Sequence, residues 1–267
     1  MRSTKYIIGF AAIVCLVCSV VVSGAAVSLK ERQTINAQLD QKKKVLGVVN
    51  LYTAGESITP DEINSRFAEN METKLVDLDS GKYVDASAEE LAAFDQTKAR
   101  QDVERSKAVD SNAAGVARVP NQALIFLQKK DGQVDKLVLP IEGKGLWSTL
   151  YGYIALESDT NTIAGITFYK HGETPGLGGE VDNPSWQALW SGRKAFEEKG
   201  GKWTPKIGVK KGAAGSVSAD PYNVDGLSGA TITSRGVGSL LRFWLDDQRF
   251  GNYLGNFRNK SLKGGQG

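Results

Sequence analysis

Residues Asp225 to Leu245 read DGLSGATITSRGVGSLLRFWL, a stretch that changes character halfway along. In its second half, Val237, Leu240, Leu241, Trp244 and Leu245 recur at i, i+3, i+4, i+7 and i+8, which lines one face of a helix. Strand alternation would scatter the same residues over both faces of a sheet. The first half is small and polar: Gly226, Gly229 and Ala230 leave the backbone approachable, and Ser228, Thr231, Thr233 and Ser234 follow the one carboxylate, Asp225. The helix is therefore expected to start at Thr233 or Ser234, with that hydroxyl as its N-cap. A helix start offers unpaired N–H groups and a partial positive charge, so it can hold a phosphate without a lysine. Thr231 has the smallest neighbours and is the hydroxyl open to a large partner, while the others read as turn and cap hydroxyls. DGLSGATITS contains no His, Lys or Cys to activate an oxygen, which argues against a self-contained hydrolase-type nucleophile.

Upstream, the strands YGYIAL and IAGITFY frame a hairpin that turns near Asp159 to Asn161. It runs into the glycine-rich loop HGETPGLGG, His171 to Gly179, which is not a dinucleotide loop because it lacks the G-x-G-x-x-G spacing. Asn183-Pro184 then opens a helix carrying Trp186, Leu189 and Trp190 at i, i+3 and i+4, the pattern of core residues. Earlier still, QALIFLQKK and QVDKLVLPI flank Asp131-Gly132, and TKLVDLDSGKYVD turns at Ser80-Gly81, so two more hairpins are predicted. Thr59-Pro60-Asp61-Glu62 and Ser87 to Glu90 carry capping-box signatures. Ser106 to Arg118, SKAVDSNAAGVAR, reads as a loop.

At the N-terminus, Tyr6 to Leu29 is a run of 24 residues without a charge. As a helix it would reach ~36 Å, enough to cross a hydrocarbon core of ~30 Å. A cleaved secretory signal is the competing reading, given Arg2 and Lys5 ahead of the run and small residues near Ala25 and Ala26. The run exceeds the ~7 to 15 residues of a signal core, which favours a span. Lys30 to about Asn50 continues the helix or forms a stalk. The formal charge of +3 falls to +1 once Arg2 and Lys5 are set aside, and 41% hydrophobic with 24% charged residues is ordinary for a globular protein, so nucleic acid is not an expected partner. Cys15 and Cys18 are the only cysteines and both lie inside the apolar run, a weak metal or redox signal beside their reading as small apolar residues of a membrane helix.

Two motifs, HGETPGLG at His171 to Gly178 and DGLSGAT at Asp225 to Thr231, occur in the order seen in a known domain family. Together they resemble the FMN-binding domain whose flavin is attached covalently through its phosphate to the threonine closing the second motif, here Thr231. With the single apolar helix and the overall length, the whole chain is similar to the C subunits of the sodium-translocating NADH:quinone reductases. The resemblance implies an α+β fold: one N-terminal transmembrane helix, then an FMN-binding domain with antiparallel hairpins. It divides the chain into an anchor (1–29), a stalk (30–58), the first part of the extracytoplasmic domain (59–140), the FMN-binding domain (141–257) and a tail (258–267).

It further implies a flavin transferase that cleaves FAD and esterifies FMN to Thr231, recognising Asp225, Ser228, Gly229 and Ala230. Glu173, Thr174, Gly176, Leu177 and Thr233 would border the flavin, with Trp147 and Tyr151 either further walls or hairpin core. His171 receives no role. The implied function is a covalent-FMN electron carrier in a membrane redox pump that moves electrons from NADH to ubiquinone and exports Na+. Other subunits of the complex, the transferase and membrane lipid would be its partners. The implied location is a bacterial inner membrane, single-pass, with the C-terminal domain on the periplasmic side. The equivalent subunit of the related ferredoxin-linked electron transport complex shares the flavin motif, and a membrane-anchored sensor or assembly module built on a flavin domain is the alternative from another class.

Overall fold

The computed structural model describes residues 3–53 and 55–264, with side chains to Lys260. The chain divides into two compact units at Lys42/Lys43. The first unit is helical: α1, Thr4–Val48, starts there and carries a window of mean hydropathy 2.6 whose residues are all exposed. By length and composition this helix can cross a membrane. It runs without a break through the 29/30 position.

The second unit is built on a six-stranded antiparallel sheet. In chain order its elements are α2 (Pro60–Asn70), β1 (Met71–Asp77), β2 (Lys82–Val84), α3 (Ala88–Ala93), α4 (Gln96–Gln101), β3 (Ser106–Ala108), β4 (Arg118–Pro120), β5 (Gln122–Lys130), β6 (Gln133–Lys144), β7 (Thr149–Glu157) and β8 (Ile163–Lys170). There follow α5 (Pro184–Ala188), β9 (Phe196–Lys199), β10 (Lys202–Pro205), β11 (Gly208–Val209), β12 (Asn223–Val224), α6 (Thr231–Trp244) and α7 (Phe250–Gly264). The main sheet has the order β2-β1-β5-β6-β7-β8. Three of its four hairpins, β1–β2, β5–β6 and β7–β8, are those the turn residues predict, with Gly81, Asp131 and Gly132 at positive φ, and β6–β7 is the fourth. Both capping boxes form, Thr59 with Glu62 and Ser87 with Glu90.

Period-two alternation sends the two faces of the sheet to different helices. Leu137, Leu139 and Ile141 of β6 and Leu150 and Ile154 of β7 join one core with Val237, Leu240, Leu241, Trp244 and Leu245, the apolar stripe read from the sequence. Each such fully buried side chain contributes about 1.5–3 kcal/mol. The helix comes close because β6 has Gly143 at the crossing, where a Cβ would lie 2.5 Å from that of Leu240. The Trp244 indole N–H donates to Glu142 O at 2.7 Å, so its burial leaves no polar atom unpaired. On the other face lie Phe67 of α2 against Phe126, and Arg100 of α4 paired with Glu142 at 2.7 Å.

Four local expectations are revised. Helix α6 begins at Thr231 with Ala230 as N-cap, so Thr233 and Ser234 sit inside its first turn and cap nothing. Their hydroxyls find tertiary partners instead, and a side chain so engaged cannot also fold back onto its own helix. The Asn183-capped helix stops at Ala188, before Leu189 and Trp190, although both tryptophans are buried as core. The ends of Ser106 to Arg118 pair as the short hairpin β3–β4. Finally, the expected boundary between the domain (141–257) and the tail (258–267) falls inside a helix: α7 crosses the 257/258 position and packs Phe250, Tyr253 and Leu254 into the core.

Candidate functional site

Glu173 is the point where three segments meet. The loop after β8 turns its carboxylate inward, leaving the residue 6% exposed. It accepts from the backbone N–H groups of Leu146, Trp147 and Ser148, in the turn between β6 and β7, at 3.2, 3.0 and 3.2 Å. The Thr233 hydroxyl, in the first turn of α6, donates to the same carboxylate at 2.6 Å. Burial would push this carboxyl up, but the bonds from Thr233 and the three N–H groups outweigh it and hold the group below the usual carboxylate range. The charge is thus held without an ion pair among the described residues.

The two sequence motifs meet across this lock. Gly229 takes φ +69°, a left-handed conformation, and a Cβ there would stand 2.9 Å from Leu177 Cδ2, so the glycine lets the two loops touch. Ser234 accepts from Leu227 N at 3.0 Å, which ties DGLSGAT to the helix it precedes. Asp225 is engaged elsewhere: its Oδ1 accepts from Ala214 N at 2.7 Å, and its carbonyl accepts from the Trp186 indole at 2.9 Å. The loop supplying Ala214 is held in turn by Arg193, which is 2% exposed and donates to the carbonyls of Leu189, Gly215, Ser216 and Asp220.

What remains outward is Thr231. It is exposed at the first position of α6, and its hydroxyl bonds to nothing among the described residues. The N–H groups of Thr231, Ile232 and Thr233 likewise have no partner among the described residues, and the first turn of α6 has no acidic residue. Exposed apolar side chains occur on the segments that meet here: Leu177 is 44% exposed, Trp147 72% and Ile232 54%, with Leu146 next to Trp147 in sequence. Free N–H donors with no acidic residue among them, an unengaged hydroxyl and an open apolar surface fit a phosphate joined to a flat aromatic ring. Cavities of about 420 and 270 Å3 are lined by other residues, including Lys107 and Arg249 in one and Tyr83 and Tyr253 in the other.

The structure brings together Glu173, Thr174, Gly176, Leu177, Ser228, Gly229, Ala230, Thr231, Thr233 and Trp147, though in different roles. The side chains of Glu173 and Thr233 are buried and hydrogen-bonded to each other, and together they hold the loops. Trp147 is on the surface and is not hairpin core. Tyr151 is not brought to this place. It lies on the opposite sheet face, where Arg100 donates to its hydroxyl at 3.3 Å and Tyr169 is its ring neighbour. His171 accepts from Glu173 N at Nδ1, and its Nε2 is 2.8 Å from Asp182, so it braces the loop. Cys15 and Cys18 are free and exposed in α1, and no group of three or more His, Cys, Asp or Glu that could hold a metal ion is found among the described residues. Reading the sequence missed Leu146 and Ile232 as surface residues of the site, and Arg193 as the brace behind Asp225. Ile232 was detectable, since it falls off the apolar stripe of α6. Nothing in the local sequence marks Arg193.

Comparison with known proteins matches residues 145–246 to the FMN-binding domain family. Over nearly its full length the chain is similar to the C subunit of the Na(+)-translocating NADH-quinone reductase of Yersinia pestis, 43% identical over 95% of this chain and 92% of that protein. The corresponding C subunit of Pseudomonas aeruginosa is 43% identical over 96% of this chain and 97% of its own. Among solved structures, the crystal structure of Shewanella oneidensis NqrC aligns with a TM-score of 0.70 and 34% identity, covering 82% of this chain and 96% of that one. The Na(+)-translocating NADH-quinone reductase C subunit from Parabacteroides distasonis aligns with a TM-score of 0.63 and 30% identity, covering 85% and 96%.

Proposed function

This chain belongs to the family of C subunits of the Na(+)-translocating NADH-quinone reductases, and from that premise we propose that it carries FMN esterified through its phosphate to Thr231 and relays electrons between other subunits of the complex. The observation that carries the reading is the contrast among the hydroxyls of the motif. Thr233 and Ser234 are committed to internal hydrogen bonds, while Thr231 is exposed and unengaged at the start of α6.

A flavin transferase would supply the group from FAD: the bond from Thr231 Oγ1 to phosphorus would form as the pyrophosphate bond breaks, with AMP leaving and the threonine proton going to solvent. Small residues at Ser228, Gly229 and Ala230 leave room for that enzyme. Asp225 is already bonded to Ala214, so it shapes the recognised loop from within. FMN, when attached, supplies reversible electron transfer. The residues of this chain would do the rest: the unpaired N–H groups of α6 would hold the phosphate, and Leu146, Trp147, Leu177 and Ile232 would offer apolar surface to the ring. Glu173 keeps those segments in register. An ester is the fitting attachment for a domain on the periplasmic side of an inner membrane, where a lost cofactor has no pool to replace it. The complex as a whole would pass electrons from NADH to ubiquinone and export Na+, with this subunit neither binding NADH nor forming the entire ion path.

The intact mass of the protein purified from its own host tests this. A gain of one FMN less water is expected, and the gain should map to the peptide holding Thr231. A protein with unmodified mass, or with flavin released on denaturation, would refute the ester.

A further inference from the structure

Arg235 stands one helical turn after Thr231, on the same outward side of α6. At ~100° per residue the two positions differ by only about 40° around the axis, and the side chain of a residue at i+4 leans toward the helix N-terminus, over position i. Both residues are exposed. Arg235 takes part in no hydrogen bond or ion pair among the described residues. Its place is electrostatically unfavourable for the protein alone: a cation near the positive end of the helix dipole, with no acidic residue in the first turn to offset it. A break in a local rule of this kind asks for a compensating anion.

We propose that Arg235 is a positioning residue that grips the phosphodiester of the flavin tether. This rests on the ester at Thr231 proposed above. A phosphodiester keeps one negative charge and two free oxygens, which the guanidinium fork can engage through paired N–H groups. The ester holds that phosphate permanently within reach, so the pair forms at a high effective concentration and needs little intrinsic strength. An exposed pair of this type biases the tether about twofold to fivefold toward the docked state. The result is a shorter swing for the ring over Leu177 and Ile232, at no cost to solubility in the unmodified protein.

The test uses the full-length flavinylated protein in detergent, with Arg235→Gln and Arg235→Lys beside it. Phosphorus NMR of the bound phosphodiester and the anisotropy decay of the flavin fluorescence are the readouts, with in-gel fluorescence reporting loading. Arg235→Gln should load flavin to within about twofold of the parent, shift the phosphorus resonance, and raise the mobile fraction of the ring about twofold to fivefold. Arg235→Lys should recover part of both effects, and 1 M salt should erase the difference between parent and Gln variant. Identical resonances and decays in parent and Gln variant overturn the proposal while leaving the ester intact. A folded Gln variant that takes no flavin also overturns it, since Arg235 would then serve the transferase. A parent with no phosphodiester signal removes the ester and this inference together.

Discussion

Thr231 and Thr233 are the same side chain two residues apart on one helix, and the molecule uses them in opposite ways. Two steps along a helix is a rotation of about 200°, so one hydroxyl faces out and the other faces in. Thr231 is exposed and unbonded, whereas Thr233 is 1% exposed and donates to Glu173 at 2.6 Å. The difference teaches that hydroxyl chemistry at this helix start is sorted by direction, since residue type and spacing are shared. The inner threonine holds the frame that keeps the outer one presented.

The strongest challenge to this contrast is Thr231→Ala. It should abolish covalent flavin, read as a dark band under denaturing conditions, while changing stability by less than about 0.5 kcal/mol because an exposed, unbonded side chain is removed. A fluorescent band would end the distinction. Glu173→Ala should come next, destabilising by about 2–4 kcal/mol in urea melts, because it strands three backbone N–H groups and a buried hydroxyl at once. An unchanged midpoint would mean that the carboxylate is not the common anchor. Thr233→Ala should cost about 1–2 kcal/mol, the scale of a lost hydrogen bond to a charged group, and should keep substantial flavin. If the Thr233→Ala protein is dark but stable, the two threonines have been assigned the wrong way round.

The smallest effect is a pH slope. Glu173 has a folded pKa below its unfolded value of about 4.3, so its contribution is complete above that pH and is lost as pH falls through the lower folded value. Stability of the parent should therefore drop more steeply below about pH 4.3 than that of Glu173→Gln. Glu142 gives an internal control of opposite sign. Burial pushes its carboxyl up although Arg100 pulls it down, so its contribution is present below the unfolded pKa and fades as pH rises through the folded one. Parallel acid limbs in parent and Glu173→Gln would show that the Glu173 bonds do not hold its charge.

Much of this architecture is legible in the chain alone. The five-residue apolar stripe of α6, the Asp131-Gly132 turn and the capping boxes at Thr59 and Ser87 are local signals, and each appears in the structure where the sequence places it. The Phe250, Tyr253, Leu254 and Phe257 spacing of α7 is equally available and carries the same logic. The site is legible as two motifs, HGETPGLG and DGLSGAT, but not as an arrangement. Thr233 and Ser234 look like caps in isolation, because a hydroxyl before a helix has only the local backbone to bond. In the folded chain a buried carboxylate 60 residues earlier competes for Thr233, and the Leu227 amide claims Ser234. Tyr151 and Trp147 illustrate the same limit: both belong to the aromatic run GLWSTLYGY, yet strand alternation carries Tyr151 to the Arg100 face while the turn leaves Trp147 on the surface.

The sequence by itself determined the apolar span, three of the hairpins and the apolar face of α6, and which residues could meet a phosphate, because periodicity and small side chains act over a few positions along the chain. Only the tertiary structure decided that Thr233 and Ser234 are engaged while Thr231 stays free, and that the Glu173 carboxylate joins the β6–β7 turn to α6. Those outcomes depend on which donors and acceptors from distant segments reach each other once the sheet and α6 are packed, and hydrogen bonds of that kind leave no spacing in the chain to be read.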